Sequence, residues 1–128
     1  MKILVVDDSR TMRKILRNAL QDMGYTASSI IEASDGIEAL AKLLEHRFKI
    51  DIILADCNMP NIDGLKFLKK LQSTKDLRHI PVIMVTGEAQ KGRVVEAIHA
   101  GARNYIVKPF TPELLGERIK ETLARVAA

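Results

Sequence analysis

The sequence predicts a single α/β domain on a five-stranded parallel sheet, with strand order 2-1-3-4-5 and helices on both faces. Three observations carry this expectation. Short β-branched apolar runs alternate with longer stretches in which apolar residues recur at spacings of three and four, and the alternation occurs five times in 128 residues. The strand candidates are apolar almost throughout, as strands covered on both faces are. Right-handed crossovers between successive strands then require a parallel sheet flanked by helices, and the five-stranded doubly wound order suits this length.

The first strand is Ile3-Leu4-Val5-Val6. Met12, Ile15, Leu16, Ala19, Leu20 and Met23 give the first helix its apolar stripe, and Gly24 supplies its stop. A weak strand over 29–33 leads to a helix through Ile37, Leu40, Leu43 and Leu44, and the third strand is Asp51-Ile52-Ile53-Leu54-Ala55. Leu65, Leu68 and Leu71 mark the third helix, and Pro81-Val82-Ile83-Met84-Val85 the fourth strand. Residues 90–100 are expected to form the fourth helix with Val94, Val95 and Ile98 inward, followed by the strand Asn104-Tyr105-Ile106-Val107. The last helix opens at Thr111-Pro112-Glu113, a cap followed by proline at the first helical position, and is expected to bury Leu115, Ile119, Leu123 and Val126. Neither an internal repeat nor a linker interrupts residues 1–128.

Composition narrows the function classes. With 47% hydrophobic and 28% charged residues, four prolines and seven glycines, the chain is neither collagenous nor disordered, and its apolar runs of about five residues at most are too short for a membrane span. One cysteine, Cys57, excludes a disulfide framework and a cysteine-rich zinc site and fits a reducing compartment. The start Met-Lys-Ile-Leu-Val-Val-Asp-Asp lacks the apolar core of a signal peptide and reads as a mature, cytoplasmic N-terminus. The net charge of +4 is uneven: residues 1–64 hold 8 basic and 10 acidic groups, residues 65–128 hold 12 and 6. With no basic run of five and only two Tyr and three Phe to stack on bases, the basic half reads as a solvated or partner-docking face, and no nucleic acid or membrane is expected as partner.

In a doubly wound sheet, sites form beyond the carboxyl ends of the strands near the switch point between strands 1 and 3. Asp7 and Asp8 follow strand 1, Asp56 strand 3, Thr86 strand 4, and Lys108-Pro109 strand 5, while strand 2 offers only Ser34 and Asp35. No glycine-rich phosphate loop follows any strand, so the crevice is not shaped for a nucleotide. Each residue has an ordinary explanation by itself. Asp7 and Asp8 could cap a helix, Asp56 could open a turn with Asn58, Pro60, Asn61 and Asp63-Gly64, Thr86 could be a cap, and Lys108 a solvated loop lysine. Their convergence on one sheet edge argues for a site. Three carboxylates a few ångströms apart repel by about 3 kcal/mol per pair at an effective dielectric of 20, so a cation belongs among them. An oxygen-only donor set with room for water suits magnesium better than zinc, and His46, His79 and His99 lie away from the strand ends. A carboxylate beside magnesium, a lysine and a hydroxyl suits phosphoryl transfer through an aspartyl phosphate.

With these residues in hand, the sequence resembles the receiver domains of bacterial two-component response regulators, and among them the stand-alone chemotaxis regulators, over essentially all of its length. The carriers are Val5-Val6-Asp7-Asp8-Ser9 with Thr11-Met12-Arg13, Asp56-Cys57-Asn58-Met59-Pro60 with Asp63-Gly64, Pro81 to Thr86, Ala100-Gly101-Ala102, and Asn104 to Thr111. The resemblance implies a flavodoxin-like receiver fold over 1–128 without an output domain, Asp56 as phosphoacceptor, Asp8 and Asp56 as direct Mg2+ ligands, Asp7 acting through water, and the Asn58 backbone carbonyl as a further ligand. It also implies that Thr86 and Lys108 contact the phosphoryl group, that Tyr105 reorients when Thr86 is drawn inward, that Asn58 and Glu88 flank the path of the hydrolytic water, and that the Lys108-Pro109 bond is cis. Lys91, Val94, Ile98, Tyr105 and Arg118 would lie on the partner face. Implied partners are a CheA-like histidine kinase, a flagellar motor switch protein and a phosphatase, with the chain itself a monomer and its catalysis limited to its own phosphorylation and dephosphorylation. Cys57 departs from the family, since chemotaxis members usually carry tryptophan there, and is expected to be a plain small residue. Gly87 replaces a frequent alanine, and Gly92 near the fourth helix should loosen its first turn. Two rival readings are a receiver of a phosphorelay or other non-motility pathway, and a magnesium phosphatase with an aspartate nucleophile of the haloacid dehalogenase type. The phosphatase needs a second aspartate where this chain has Asn58.

Overall fold

The computed structural model describes residues 1–46, 49–87 and 92–127. In chain order the elements are β1 (Ile3–Val6), α1 (Arg10–Asp22), β2 (Ile30–Ala33), α2 (Gly36–Glu45), β3 (Ile52–Asp56), α3 (Gly64–Gln72), β4 (Val82–Thr86), α4 (Val94–His99), β5 (Asn104–Val107) and α5 (Pro112–Ala127), with a 3-10 turn at Ala27–Ser29. The sheet has the order β2-β1-β3-β4-β5 and every pair is parallel, as the sequence predicts. Ile3 stands opposite Ile30 on one side and Ile52 on the other, which sets β1 at the point where the strand order reverses.

The strands are mostly apolar because both faces are covered, and their alternation divides the core in two. Leu4, Val6, Ile53, Ala55, Val82 and Met84 pack with Leu43 of α2, Phe67, Leu68 and Leu71 of α3 and Ala97 of α4. Ile3, Val5, Ile52, Leu54, Ile83, Val85 and Ile106 pack on the other face with Leu16, Ala19 and Leu20 of α1 and Leu115 and Ile119 of α5.

Helix ends are set by side chains that accept from otherwise unpaired backbone amides. Ser9 accepts from the Met12 amide at 3.1 Å, Asp35 from Glu38 at 2.8 Å, Asp63 from Lys66 at 2.9 Å, and Thr111 from Leu114 at 3.1 Å. Helix α1 stops at Met23, and Gly24 follows at φ +102°, the left-handed conformation that favours glycine.

Several expected inward faces are corrected. In α4 only Val94 and Ala97 are buried, whereas Val95 and Ile98 are 63% and 41% exposed. A six-residue helix buries one stripe at i, i+3, so the neighbouring stripe at 95 and 98 must face outward. The helix begins at Val94 rather than at 90, with Gly92 and Arg93 in a 3-10 turn before it. Ile15, Ile37 and Leu44 also point to solvent, each flanking a stripe that Leu16, Ala39 and Leu43 complete. Leu123 is half-buried, and the buried position beside it is Thr122. Strands β3 and β4 each lie one residue later than expected, leaving out Asp51 and Pro81 and taking in Asp56 and Thr86. Glu88, Lys91 and the side chain of Val126 lie outside the described residues.

Candidate functional site

The carboxyl edge of the sheet gathers the polar residues that the strands deliver. Asp7 and Asp8 follow β1, Asp56 ends β3, Thr86 ends β4 and Lys108 follows β5. Asp7, Asp8 and Asp56 each offer a carboxylate oxygen, and these oxygens lie within 4.8 Å of one another. The Lys108 ammonium reaches in from the far side, 3.2 Å from Asp7 Oδ2 and 3.5 Å from Asp56 Oδ2. It leaves β5 through a cis Lys108-Pro109 bond, as the family resemblance implies.

The ordinary explanations weighed for these residues do not account for what they touch. Ser9, not Asp7 or Asp8, caps α1. Asp7 is buried and its Oδ1 accepts from the Ser9 amide at 2.9 Å, while Arg13 donates to the Asp7 carbonyl at 2.6 Å. Asp8 is exposed. Asp56 does accept from the Asn58 amide at 3.3 Å as a turn-former would, yet its carboxylate also faces Lys108 and Asp7. Burial lifts the Asp56 carboxyl above its ordinary range; the Lys108 charge opposes this and the Asp7 charge adds to it. Thr86 is fully buried, and its hydroxyl donates to the Gly87 carbonyl at 3.2 Å.

Cys57 is buried beside the site, and burial pushes its thiol up. A thiol held protonated in this way is a packing residue rather than a nucleophile. Donor chemistry fits a hard divalent cation: three carboxylates on one edge, one of them exposed, with no histidine or thiolate among them.

Behind the site, Tyr105 is half-buried, packed against the α2–α3–α4 core. Arg118 donates to the Tyr105 carbonyl at 3.1 Å and sits 6.0 Å from the ring centroid. Of the expected partner face, Ile98 is exposed, and Tyr105 and Arg118 are half-buried. Val94, expected on that face, is instead turned into the core, and its neighbour Val95 is exposed.

Three features escaped the sequence. Arg93 contacts both Cys57 and Asp63, and nothing marks it among the basic residues of its half of the chain. Asn104 and Thr122 form a buried polar pair at 3.2 Å that joins β5 to α5. Gly64 packs so closely on the end of β3 that a Cβ there would collide with the Asp56 carbonyl and lie 2.8 Å from Cys57 Cα. An Asp-Gly pair reads as a turn in sequence, and only the fold shows that the glycine is required by close approach.

Comparison with known proteins agrees with this geometry. The sequence model of the response regulator receiver domain matches residues 3–120. The chain is 44% identical over 126 residues to the chemotaxis protein CheY of Pseudomonas aeruginosa, covering 98% of both chains. It is 45% identical over 123 residues to CheY1 of Helicobacter pylori, covering 96% of this chain and 97% of that one. Among solved structures, CheY4 of Vibrio cholerae superimposes with a TM-score of 0.83 at 36% identity, over 95% of this chain and 98% of that one.

Proposed function

Since the chain belongs to the response regulator receiver family of two-component signalling, we propose that it is a phospho-accepting protein whose Asp56 takes a phosphoryl group from a histidine kinase, and whose phosphorylated form docks on a flagellar motor switch. The observation that supports this best is the seating of Lys108 between Asp7 and Asp56 at the edge where three carboxylates converge.

Asp8 and Asp56 would hold Mg2+ directly, Asp7, which is paired with Lys108, would act through water, and the Asn58 backbone carbonyl would complete the protein donors. When bound, the metal neutralises charge on the transferring phosphoryl oxygens. One Asp56 carboxylate oxygen forms the bond to phosphorus as the phosphorus–nitrogen bond of the donor phosphohistidine breaks, and the electron pair leaves with the imidazole nitrogen. Lys108 takes up part of the negative charge that Asp56 then carries. The Thr86 hydroxyl, which donates to the Gly87 carbonyl, turns to donate to a phosphoryl oxygen instead. Tyr105 moves into the space behind it, and the surface of α4, β5 and α5, including Ile98, Tyr105 and Arg118, changes shape. Lys91 contributes its positive charge to docking, and Asn58 and Glu88 set the rate at which water removes the phosphate. The docking reading rests on the names of the relatives, which are chemotaxis proteins.

Incubation with acetyl phosphate and Mg2+, followed by intact-mass analysis, tests the first step. A single phosphoryl increment that is absent from Asp56→Asn is expected. An unmodified chain, or an equally modified variant, refutes the assignment.

A further inference from the structure

Arg93, in the short turn before α4, reaches both ends of the segment that follows Asp56. Its Nη1 donates to the Cys57 carbonyl at 3.4 Å and its Nη2 to Asp63 Oδ2 at 3.4 Å. Cys57 opens that segment and Asp63 closes it. The Gly64 amide returns to the same Cys57 carbonyl at 3.1 Å, so the carbonyl is shared by the two ends of the loop and by the arginine. Asp63 is already oriented by capping α3 through Oδ1, which leaves Oδ2 turned toward the guanidinium. Lysine could supply the charge here but not the two-pronged contact.

The same segment carries Asn58, one residue after Cys57. Helix α4 has only six residues and buries only Val94 and Ala97, so contacts at its first turn are a large part of what seats it. We propose that Arg93 is a positioning residue that straps the 57–63 segment to the start of α4, making occupancy of the acidic site and placement of α4 a single linked equilibrium. This rests on the reading above in which the Asn58 carbonyl is a metal ligand. A cation that draws this carbonyl inward shifts the Cys57 peptide, and the guanidinium fork carries the shift to α4. By reciprocity, a partner that holds α4 in the shifted position tightens Mg2+ binding by the same factor.

Two measurements test this in wild type, Arg93→Ala, Arg93→Lys and Asp63→Asn. Asparagine caps a helix as well as aspartate does, so Asp63→Asn loses the ion pair while keeping the α3 cap. In the metal-free protein, hydrogen exchange at the Gly64 amide should quicken about tenfold in Arg93→Ala, as expected on losing a charge-assisted hydrogen bond. In a Mg2+ titration followed by amide resonances, those of Val95 to His99 should move with those of Asn58 and Met59 in the wild type. In Arg93→Ala and Asp63→Asn the α4 shifts should fall by roughly threefold or more while the Asn58 shifts persist, with Arg93→Lys restoring little. Gly64 exchange equal to wild type, or α4 shifts equal in all four proteins, overturns the strap and leaves the proposed function standing. A wild type whose Asn58 and Met59 resonances ignore Mg2+ overturns the metal reading and the linkage together.

Discussion

Asp56 is held against its own electrostatic preference. It is buried and faces a second carboxylate, and the Lys108 charge and the Asn58 amide only partly oppose the resulting rise in its pKa. A carboxyl raised in the folded state disfavours folding at neutral pH, where it must be ionised. Asp56→Asn should therefore raise the melting temperature of the metal-free protein at pH 7, and added Mg2+ should narrow the gap by stabilising only the wild type. Equal melting temperatures in chelator would contradict this. Asp8, exposed and without a described partner of its own, has little to contribute to the fold. Asp8→Ala should lower Mg2+ affinity at least tenfold, as measured by calorimetric titration, with little change in melting temperature. The residues that converge here were legible because a parallel sheet sends whatever follows its strands to one edge. Arg93 was not, because its role depends on an arginine side chain crossing from α4 to a loop some thirty positions earlier, and no periodicity encodes such a reach.

Among the elements, α1, α3 and α5 were readable because each carries a broad apolar stripe, with Gly24 as the stop of α1 and Thr111-Pro112 as the opening of α5. Helix α4 misled, since Val94, Val95 and Ile98 fit a helical spacing equally well whether they face the core or solvent. What decides is length: six residues can bury only Val94 and Ala97. The cap of α3 has a pH signature. The Lys66 amide, with Arg93 adding to it, holds the Asp63 carboxyl below its ordinary 3.8. A carboxyl lowered in the folded state contributes stability that is fully present well above pH 3.8 and is lost as pH falls through its folded value. Asp63→Ala should cost about 1 kcal/mol at pH 7 in chemical denaturation, with the difference from wild type shrinking below pH 3.8. A difference that grows in acid would refute the cap as the cause. Between β5 and α5, Thr122 is fully buried, accepting from Asn104 at 3.2 Å and donating to the Arg118 carbonyl at 2.6 Å. Thr122→Val keeps the shape but removes the buried bond from Asn104, whose amide still reaches Glu121, and the hydroxyl's bond to the Arg118 carbonyl, a loss of about 1 kcal/mol measurable by the same method.

Across the whole molecule, a charge placed on Asp56 must be felt on a face about one domain radius away, and in the proposed mechanism Thr86 and Tyr105 carry it there. Thr86→Ala should still accept phosphate on Asp56 but lose most of the roughly 10- to 100-fold gain in affinity for a motor-switch peptide that the wild type shows on phosphorylation. Equal enhancement would remove Thr86 from the mechanism, and no enhancement in the wild type would favour a phosphorelay role. The sheet that links these places was the most legible feature of all, its order following from five apolar runs and the handedness of their crossovers. That sheet also stops being apolar where the chemistry begins: the last buried aliphatic residues of β1, β3, β4 and β5 are each followed directly or within two positions by a residue of the acidic edge. Folding and signalling are thus written in adjoining parts of these four strands. On the proposed function, a chain disarmed at Asp56 would keep its shape and its docking surfaces, and would act in a cell as a decoy that occupies the kinase without ever carrying a message away.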